Sequence, residues 1–268
     1  MTPGVDSWAS GSAYEAYVGR WSRPVARQFI DWVALQAGRR WLDVGCGTGA
    51  LTEAVLVLAG PSEVVGVDPS VAHVDHAQHH VDDPRATFEV GDALALPGVR
   101  DRFDAVVSGL VLNFIPDPAA GVAEMVRVAA PGGIVAGYVW DYAGDMQLMR
   151  YFWDAAVALD PAARELDEGV RFPLCQAAPL RGLFEDAGLT GVEVRPIDIP
   201  TMFPDFDDYW TPFLSGQAPA PGYNMSLAED RRAALRDRIR ATIPVAADGS
   251  ISLIARAWAV KGHKDDRA

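Results

Sequence analysis

Cysteine is scarce, with two in 268 residues. Cys46 lies inside a glycine-rich turn, where a disulfide would obstruct a ligand pocket. Cys46 and Cys175 are therefore both read as reduced, and the protein as intracellular with the cytosol as default. Long hydrophobic runs are absent. No stretch approaches the roughly 18 apolar residues of a membrane span. The N-terminus opens with small polar residues and lacks a basic segment followed by an apolar one, so no signal peptide is expected. Basic charge is also short, with 23 Lys and Arg against 36 Asp and Glu and a net charge of −13. An acidic surface repels phosphate backbones, which argues against a nucleic-acid substrate. The densest basic group, Arg231, Arg232, Arg236, Arg238 and Arg240, alternates with Glu229, Asp230 and Asp237 and reads as a solvated helix face. No internal repeat or low-complexity segment occurs.

What is present is a buried strand that runs into a glycine turn, Leu42-Asp43-Val44-Gly45-Cys46-Gly47-Thr48-Gly49. A second apolar run, Val64-Val65-Gly66-Val67, ends in Asp68, and a third, Phe88-Glu89-Val90-Gly91, ends in Asp92. Strands are expected at 39–44, 63–67, 86–90, 103–108 and 134–140. Helical patterns fall between them, and an earlier helix at about 22–36 has Ser22 as N-cap. This alternation predicts an α/β fold with a doubly wound, mostly parallel sheet covered on both faces. After Trp140 the rhythm changes. Helices are expected near 146–159, 178–187, 205–214 and 227–243, with two further strands at 191–199 and 251–260, which makes seven in all. The long connections read as a helical cap inserted after strand five and between strands six and seven. The division is 1–38 as N-terminal lid and first helix, 39–140 as cofactor-binding core, 141–190 as cap insertion, and 191–268 as final strands with a second insertion at about 201–245.

Three acids at the ends of three successive strands describe a nucleotide-type pocket, one acid for each polar part of a cofactor. Gly45, Gly47 and Gly49 allow positive φ angles and let backbone lie against a ligand. The turn also fits the permissive dinucleotide pattern Gly45-x-Gly47-x-x-Ala50, with Asp68 where a ribose-binding acid belongs. Two features oppose that reading: a carboxylate at Asp43 disfavours a pyrophosphate but suits an ammonium, and Asp92 is an acid a dinucleotide fold does not require.

The segments LDVGCGTGALT (42–52), VVGVDPS (64–70), VGDALALP (90–97) and FDAVVSGLVLNFIPDP (103–118), followed by PGG (131–133), occur in order. Over about residues 39–140 the chain resembles the class I S-adenosylmethionine-dependent methyltransferases, in particular the small-molecule group with the ubiquinone/menaquinone-type and natural-product tailoring enzymes. The resemblance implies a Rossmann-like methyltransferase fold that binds S-adenosyl-L-methionine and releases S-adenosyl-L-homocysteine. By the same resemblance Asp43 would neutralise the methionine ammonium, and Gly45 and Gly47 would lie against methionine and ribose. Asp68 would accept from the ribose hydroxyls and Pro69 would pack near the adenine. Asp92 would accept from the adenine amino group, with Ala93 offering an N–H. Ser108, Gly109 and Leu110 would line the methionine end. Many relatives carry a His shortly after strand four; this chain has Leu112-Asn113-Phe114. Asn113 is no base at neutral pH but can orient a substrate.

Upstream, Tyr14, Tyr17, Arg20 and Trp21 form an aromatic segment. In similar enzymes such a segment folds over the cofactor. Arg20 would then pair with the methionine carboxylate, and Tyr17 and Trp21 would shield the sulfonium; packing of the first helix is the other reading. Asp141, after strand five, is a candidate to orient or deprotonate the nucleophile, or else a turn acid. His73, His76, His79 and His80 have helical spacing but read as a solvated face, so no metal is expected. Asp205, Asp207 and Asp208 read as a helix start that could receive an amine if aimed inward. The aromatic-rich cap suits an apolar or aromatic small molecule. The expectation is methyl transfer to an O, N or C nucleophile of a small-molecule acceptor. The alternatives are an NAD(P)-dependent oxidoreductase and a non-catalytic S-adenosylmethionine-binding protein. Membrane and nucleic acid are not expected as partners, and a homo-oligomer through the cap is left open.

Overall fold

The computed structural model describes residues 19–96, 102–216 and 218–265. Seven strands, β1 (Arg40–Val44), β2 (Glu63–Asp68), β3 (Ala86–Val90), β4 (Phe103–Gly109), β5 (Ala129–Trp140), β6 (Thr190–Phe203) and β7 (Ile251–His263), form one sheet. Ten α-helices are found among the described residues: α1 (Arg20–Val33), α2 (Ala50–Leu58), α3 (Val71–His80), α4 (Pro118–Val128), α5 (Gln147–Leu159), α6 (Glu168–Arg171), α7 (Ala177–Asp186), α8 (Phe206–Trp210), α9 (Pro219–Ser226) and α10 (Glu229–Thr242). The chain divides into two units. One comprises Arg23–Trp140, Leu174–Ile197 and Ala257–Ala268, and the other Met1–Ser22, Asp141–Pro173 and Asp198–Arg256.

The first unit carries β1 to β5 with the first part of β6 and the last part of β7, and the strand order is β3-β2-β1-β4-β5-β7-β6. Strands β1 to β5 pair in parallel, and β7 runs antiparallel to β5 with Val139 opposite Trp258. In β1, β2 and β4 nearly every residue is buried, with Trp41, Leu42, Val44, Val64, Ala105, Val106 and Val107 at the centre. Such continuous apolar runs are what a parallel sheet covered on both faces requires. The chain moves outward from β1 to β3 and then returns to place β4 on the other side of β1. That reversal makes the carboxyl ends of β1 and β4 a switch point, the place where open α/β sheets bind ligands.

Local chemistry sets the helix starts. Ser70 caps α3 by accepting from the His73 amide, and Asp117 caps α4 by accepting from the Ala120 amide, with Pro118 in the first turn. Two expectations give way. α1 begins at Arg20, and the Ser22 hydroxyl donates to Gly19 O at 2.6 Å instead of receiving an amide N–H as an N-cap would. The fifth strand, expected over 134–140, begins earlier. It starts at Ala129 and passes through Pro131-Gly132-Gly133, because the Gly132 amide donates to Lys264 O and the Lys264 amide to Gly133 O.

The second unit is mostly helical and is held by rings. Phe152 of α5 stacks on Phe213 at 4.6 Å between centroids, and the Tyr209 hydroxyl donates to Leu148 O at 2.9 Å. The sequence pattern does not reveal α9, since Pro221, Gly222 and Asn224 disfavour a helix interior, although Pro219 suits its first position. Packing overrides propensity: Tyr223 meets the rings of Phe152 and Trp153, and Asn224 Nδ2 donates to Phe213 O.

Gly66 marks the tightest point of the sheet face. A Cβ there would lie 2.5 Å from Phe88 Cδ1 and 3.0 Å from Cys46 Sγ. Gly66→Ala is expected to lower stability by about 1–3 kcal/mol through overpacking, read as a fall in the chemical-denaturation midpoint with an unchanged slope.

Candidate active site

The turn after β1 is fastened before it reaches its helix. The amides of Gly45 and Cys46 both donate to Val67 O at the end of β2, at 2.7 and 3.1 Å. Gly45, Gly47 and Gly49 have φ of 74°, 54° and 95°, the left-handed region that favours glycine. Their surroundings differ. A Cβ on Gly45 would lie 2.6 Å from the Val111 methyls, and one on Gly49 2.9 Å from Val81 Cγ2, whereas one on Gly47 would meet nothing within 4 Å. Gly45 and Gly49 are thus glycine for packing, and Gly47 presents bare backbone to open space.

Asp43 lies under this turn, 1% exposed. Thr52 Oγ1 donates to its Oδ2 at 2.7 Å, while Oδ1 is buried without a partner. Burial pushes its pKa from 3.8 up to about 7, and the nearby Asp68 carboxylate adds to the rise. Asp68 is tuned the other way. Its Oδ2 accepts from the Gly47 amide at 3.0 Å, and its Oδ1 from the Ser70 amide at 2.9 Å and His73 Nδ1 at 3.2 Å. Burial alone would raise its pKa, but the donors of His73, Ser70 and Gly47 outweigh this and hold it below the usual carboxylate range. Pro69, beside it, is exposed. At the end of β3, Asp92 is exposed, its Oδ1 accepts from the Leu94 amide at 2.9 Å, and Ala93 is half-buried.

β4 supplies the other wall of the switch point. Ser108 is fully buried and its hydroxyl donates to Val44 O at 2.8 Å, so its side chain ties β4 to β1 rather than lining open space. At Gly109 a Cβ would collide with the Tyr138 hydroxyl at 2.6 Å. Leu110, with φ of 63°, is held in a strained conformation as its amide donates to Tyr138 O at 2.8 Å. Asn113 lies on a 3-10 turn, Leu112–Phe114, and both its amide atoms are buried without partners.

Other expected site residues belong to the helical unit. Asp141 accepts from the Gly144 and Asp145 amides at 3.1 and 3.0 Å, one on each oxygen, which makes it a turn acid. Arg20 bonds Asp208 through Nη1 at 3.2 Å and lies 4.5 Å from the Trp21 ring centre and 4.8 Å from that of Phe203. Asp208 is therefore engaged by Arg20, and Asp205 caps α8 by accepting from the Asp208 amide. Tyr14 and Tyr17 lie outside the described residues.

Sequence reasoning missed two contacts. Thr52 reaches Asp43 from the first turn of α2. His73, read as part of a solvated face, instead bonds Asp68; its sequence signal was its place three residues after the N-cap Ser70, where a side chain turns back towards the preceding strand. His79 and His80 fit the solvated reading, with Nδ1 on the carbonyls of Asp75 and His76.

A family model described as a methyltransferase domain matches residues 42–137. The chain is similar to 2-methyl-6-phytyl-1,4-hydroquinone methyltransferase of Synechocystis sp., 29% identical over 79% of this chain and 73% of the relative. It is also 30% identical to 2-phytyl-1,4-naphtoquinone methyltransferase of Thermosynechococcus vestitus, over 63% of this chain and 80% of the relative. The chain belongs to the class I S-adenosylmethionine-dependent methyltransferases. The fold agrees: phosphoethanolamine N-methyltransferase 2 of Haemonchus contortus, solved in complex with S-adenosyl-L-methionine, superposes with a TM-score of 0.58 at 18% identity, covering 95% of this chain and 56% of that one.

S-adenosyl-L-methionine is the cofactor of this methyltransferase, and its residues fit that molecule. The orphaned Oδ1 of buried Asp43 suits an ammonium, and the missing side chain of Gly47 leaves room beside Asp68. Among the described residues no group of three His, Cys, Asp or Glu is placed to hold a metal.

Asp43 sets a pH dependence whose sign is definite. Its folded pKa of about 7 lies above its ordinary 3.8. The stability it contributes is full below about pH 4 and is lost as pH rises through about 7. Asp43→Asn is expected to flatten the melting temperature over that window and to raise it above the native protein at about pH 8, which differential scanning calorimetry across pH would check.

Proposed function

We propose that this methyltransferase acts in the cytoplasm on a small-molecule acceptor, an apolar or aromatic compound offering an oxygen, nitrogen or carbon nucleophile. The relatives support the acceptor class, since both are named for a phytyl-substituted 1,4-hydroquinone or naphthoquinone. No described helix is long and apolar enough to cross a membrane.

In this reading Asp43 neutralises the methionine ammonium, and Gly45 and Gly47 lie against methionine and ribose. Asp68 accepts from the ribose hydroxyls, with Pro69 beside the adenine. Asp92 accepts from the adenine amino group and Ala93 donates its N–H to the ring. Gly109 and Leu110 bound the methionine end through their backbone. When bound, the sulfonium supplies a methyl group already activated for in-line displacement, so the protein's task is positioning and desolvation. An ammonium next to Asp43 favours its ionised form and draws a proton out of the site. Asp141 accepts one backbone amide on each oxygen, which keeps two lone-pair positions, so in this reading it would orient a nucleophile rather than deprotonate it.

The observation that carries the acceptor side is Asn113. A buried amide with neither donor nor acceptor satisfied costs about 1–3 kcal/mol for each unpaired group. An acceptor with a hydroxyl or carbonyl would satisfy it and be oriented by it. Asn113 positions the acceptor and removes no proton.

Calorimetry with S-adenosylmethionine, S-adenosylhomocysteine and, as control, NAD tests the cofactor side. Adenosyl binding that disappears in Asp68→Ala is expected; binding of NAD in its place would overturn the assignment. The acceptor side begins with a screen using isotopically labelled methyl donor. With an acceptor found, Asn113→Ala should lower kcat/KM for it by about 10–100-fold and leave the cofactor Kd unchanged. A weakened cofactor Kd with normal acceptor kinetics would remove Asn113 from this role.

A further inference from the structure

His73 has no part in the cofactor scheme above, yet it touches the acid on which that scheme depends. An ionised carboxylate offers about four lone-pair positions. On Asp68 three are taken: Oδ1 by the Ser70 amide and His73 Nδ1, Oδ2 by the Gly47 amide. One remains, and a ribose diol brings two hydroxyls. One protein donor must therefore yield.

Two of the three cannot yield cheaply. The Gly47 amide is held by the turn whose preceding amides, Gly45 and Cys46, are fastened to Val67 O. The Ser70 amide belongs to the α3 cap, where the Val74 amide donates to Ser70 O at 3.1 Å and the His73 amide to Ser70 Oγ at 3.4 Å. The His73 side chain is 39% exposed and can rotate away without any backbone movement.

We infer that His73 is a positioning residue for the cofactor, holding an acceptor position on Asp68 that the second ribose hydroxyl needs and releasing it when the nucleoside binds. The inference rests on the assignment of Asp68 to the ribose. Protonation turns the contact into an ion pair, so acid makes release costlier. The bond to Asp68 raises the pKa of His73 above 6.5 against the opposing effect of burial, which puts the change in reach of neutral pH. The titratable groups on the neighbouring elements are Asp68 of β2, Asp43 of β1, Cys46 of the turn and Glu89 of β3, with Asp75 and His76 on its own helix. Of these, Asp68 is the one that acts on it.

The probe is 5′-methylthioadenosine, which has the ribose and adenine but no ammonium, so Asp43 forms no ion pair with it and the titration of Asp43 is common to the native protein and the His73 variants. Calorimetry at about pH 6 and pH 8 should show the native protein binding about 3–10-fold more weakly at the lower pH. His73→Ala should bind equally at both values and no more weakly than the native protein at the higher one. His73→Gln, a donor that does not titrate, should be flat with pH but weaker than His73→Ala. By NMR the His73 ring should titrate above its ordinary value in free protein and return towards it when the nucleoside is bound. Weaker binding by His73→Ala at both pH values, with the native pH ratio retained, would overturn the inference while loss of binding in Asp68→Asn leaves the ribose assignment standing. Native-like binding by Asp68→Asn would overturn both.

Discussion

The site depends on one close approach, that of the β1 turn to the strands on either side of it. Two consecutive amides of the turn share a single carbonyl, Val67 O, and Gly45 lies so near Val111 that no side chain would fit between them. This closure brings the ends of β1, β2 and β4 together at the point where the sheet reverses its order. The Ser108 hydroxyl on Val44 O adds a third tie. Remove the closure and the carboxylates of Asp43 and Asp68 lose the backbone that defines their surroundings.

Within that frame two neighbouring acids are tuned in opposite directions. Asp43 is nearly devoid of donors and protonates readily; Asp68 has three and stays ionised. The difference comes from the deeper burial of Asp43, which Thr52 offsets only in part, and from the three donors that outweigh burial at Asp68. A carboxylate with an orphaned oxygen is destabilising until a cation meets it. Asp43 and the unpaired amide of Asn113 are therefore polar groups kept at a cost to stability, as sites that must bind something often are.

Much of this was legible in the sequence because it is local. The continuous apolar runs of β1, β2 and β4, the glycines after Val44 and the acids closing three strands follow from covalent order. A last strand near 251–260 and the helical character of most of the region after Trp140 were readable too, but not that this strand runs antiparallel to β5. The roles of several polar residues were not. Ser108 and Asp141 have residue types and positions that suit ligand contacts, but the Ser108 hydroxyl donates to Val44 O and each Asp141 oxygen accepts a backbone amide. Ser22 caps nothing, because its hydroxyl donates back to Gly19 O. α9 forms in spite of Pro221 and Gly222 because Tyr223 and Asn224 find partners in α5 and near Phe213.

By itself the sequence determined the sheet and the glycine turn, and with them the family. It also determined which acids stand at the strand ends, since each of these depends on residues a few positions apart. Only the tertiary structure decided how many donors each acid receives. Gly47 reaches Asp68 across 21 positions of chain, and Ser108 reaches Val44 across 64. A carboxylate's charge state is set by whatever burial and donors the fold brings to it; Ser70 and His73 stand near Asp68 in the chain, but its burial and the Gly47 amide come from elsewhere.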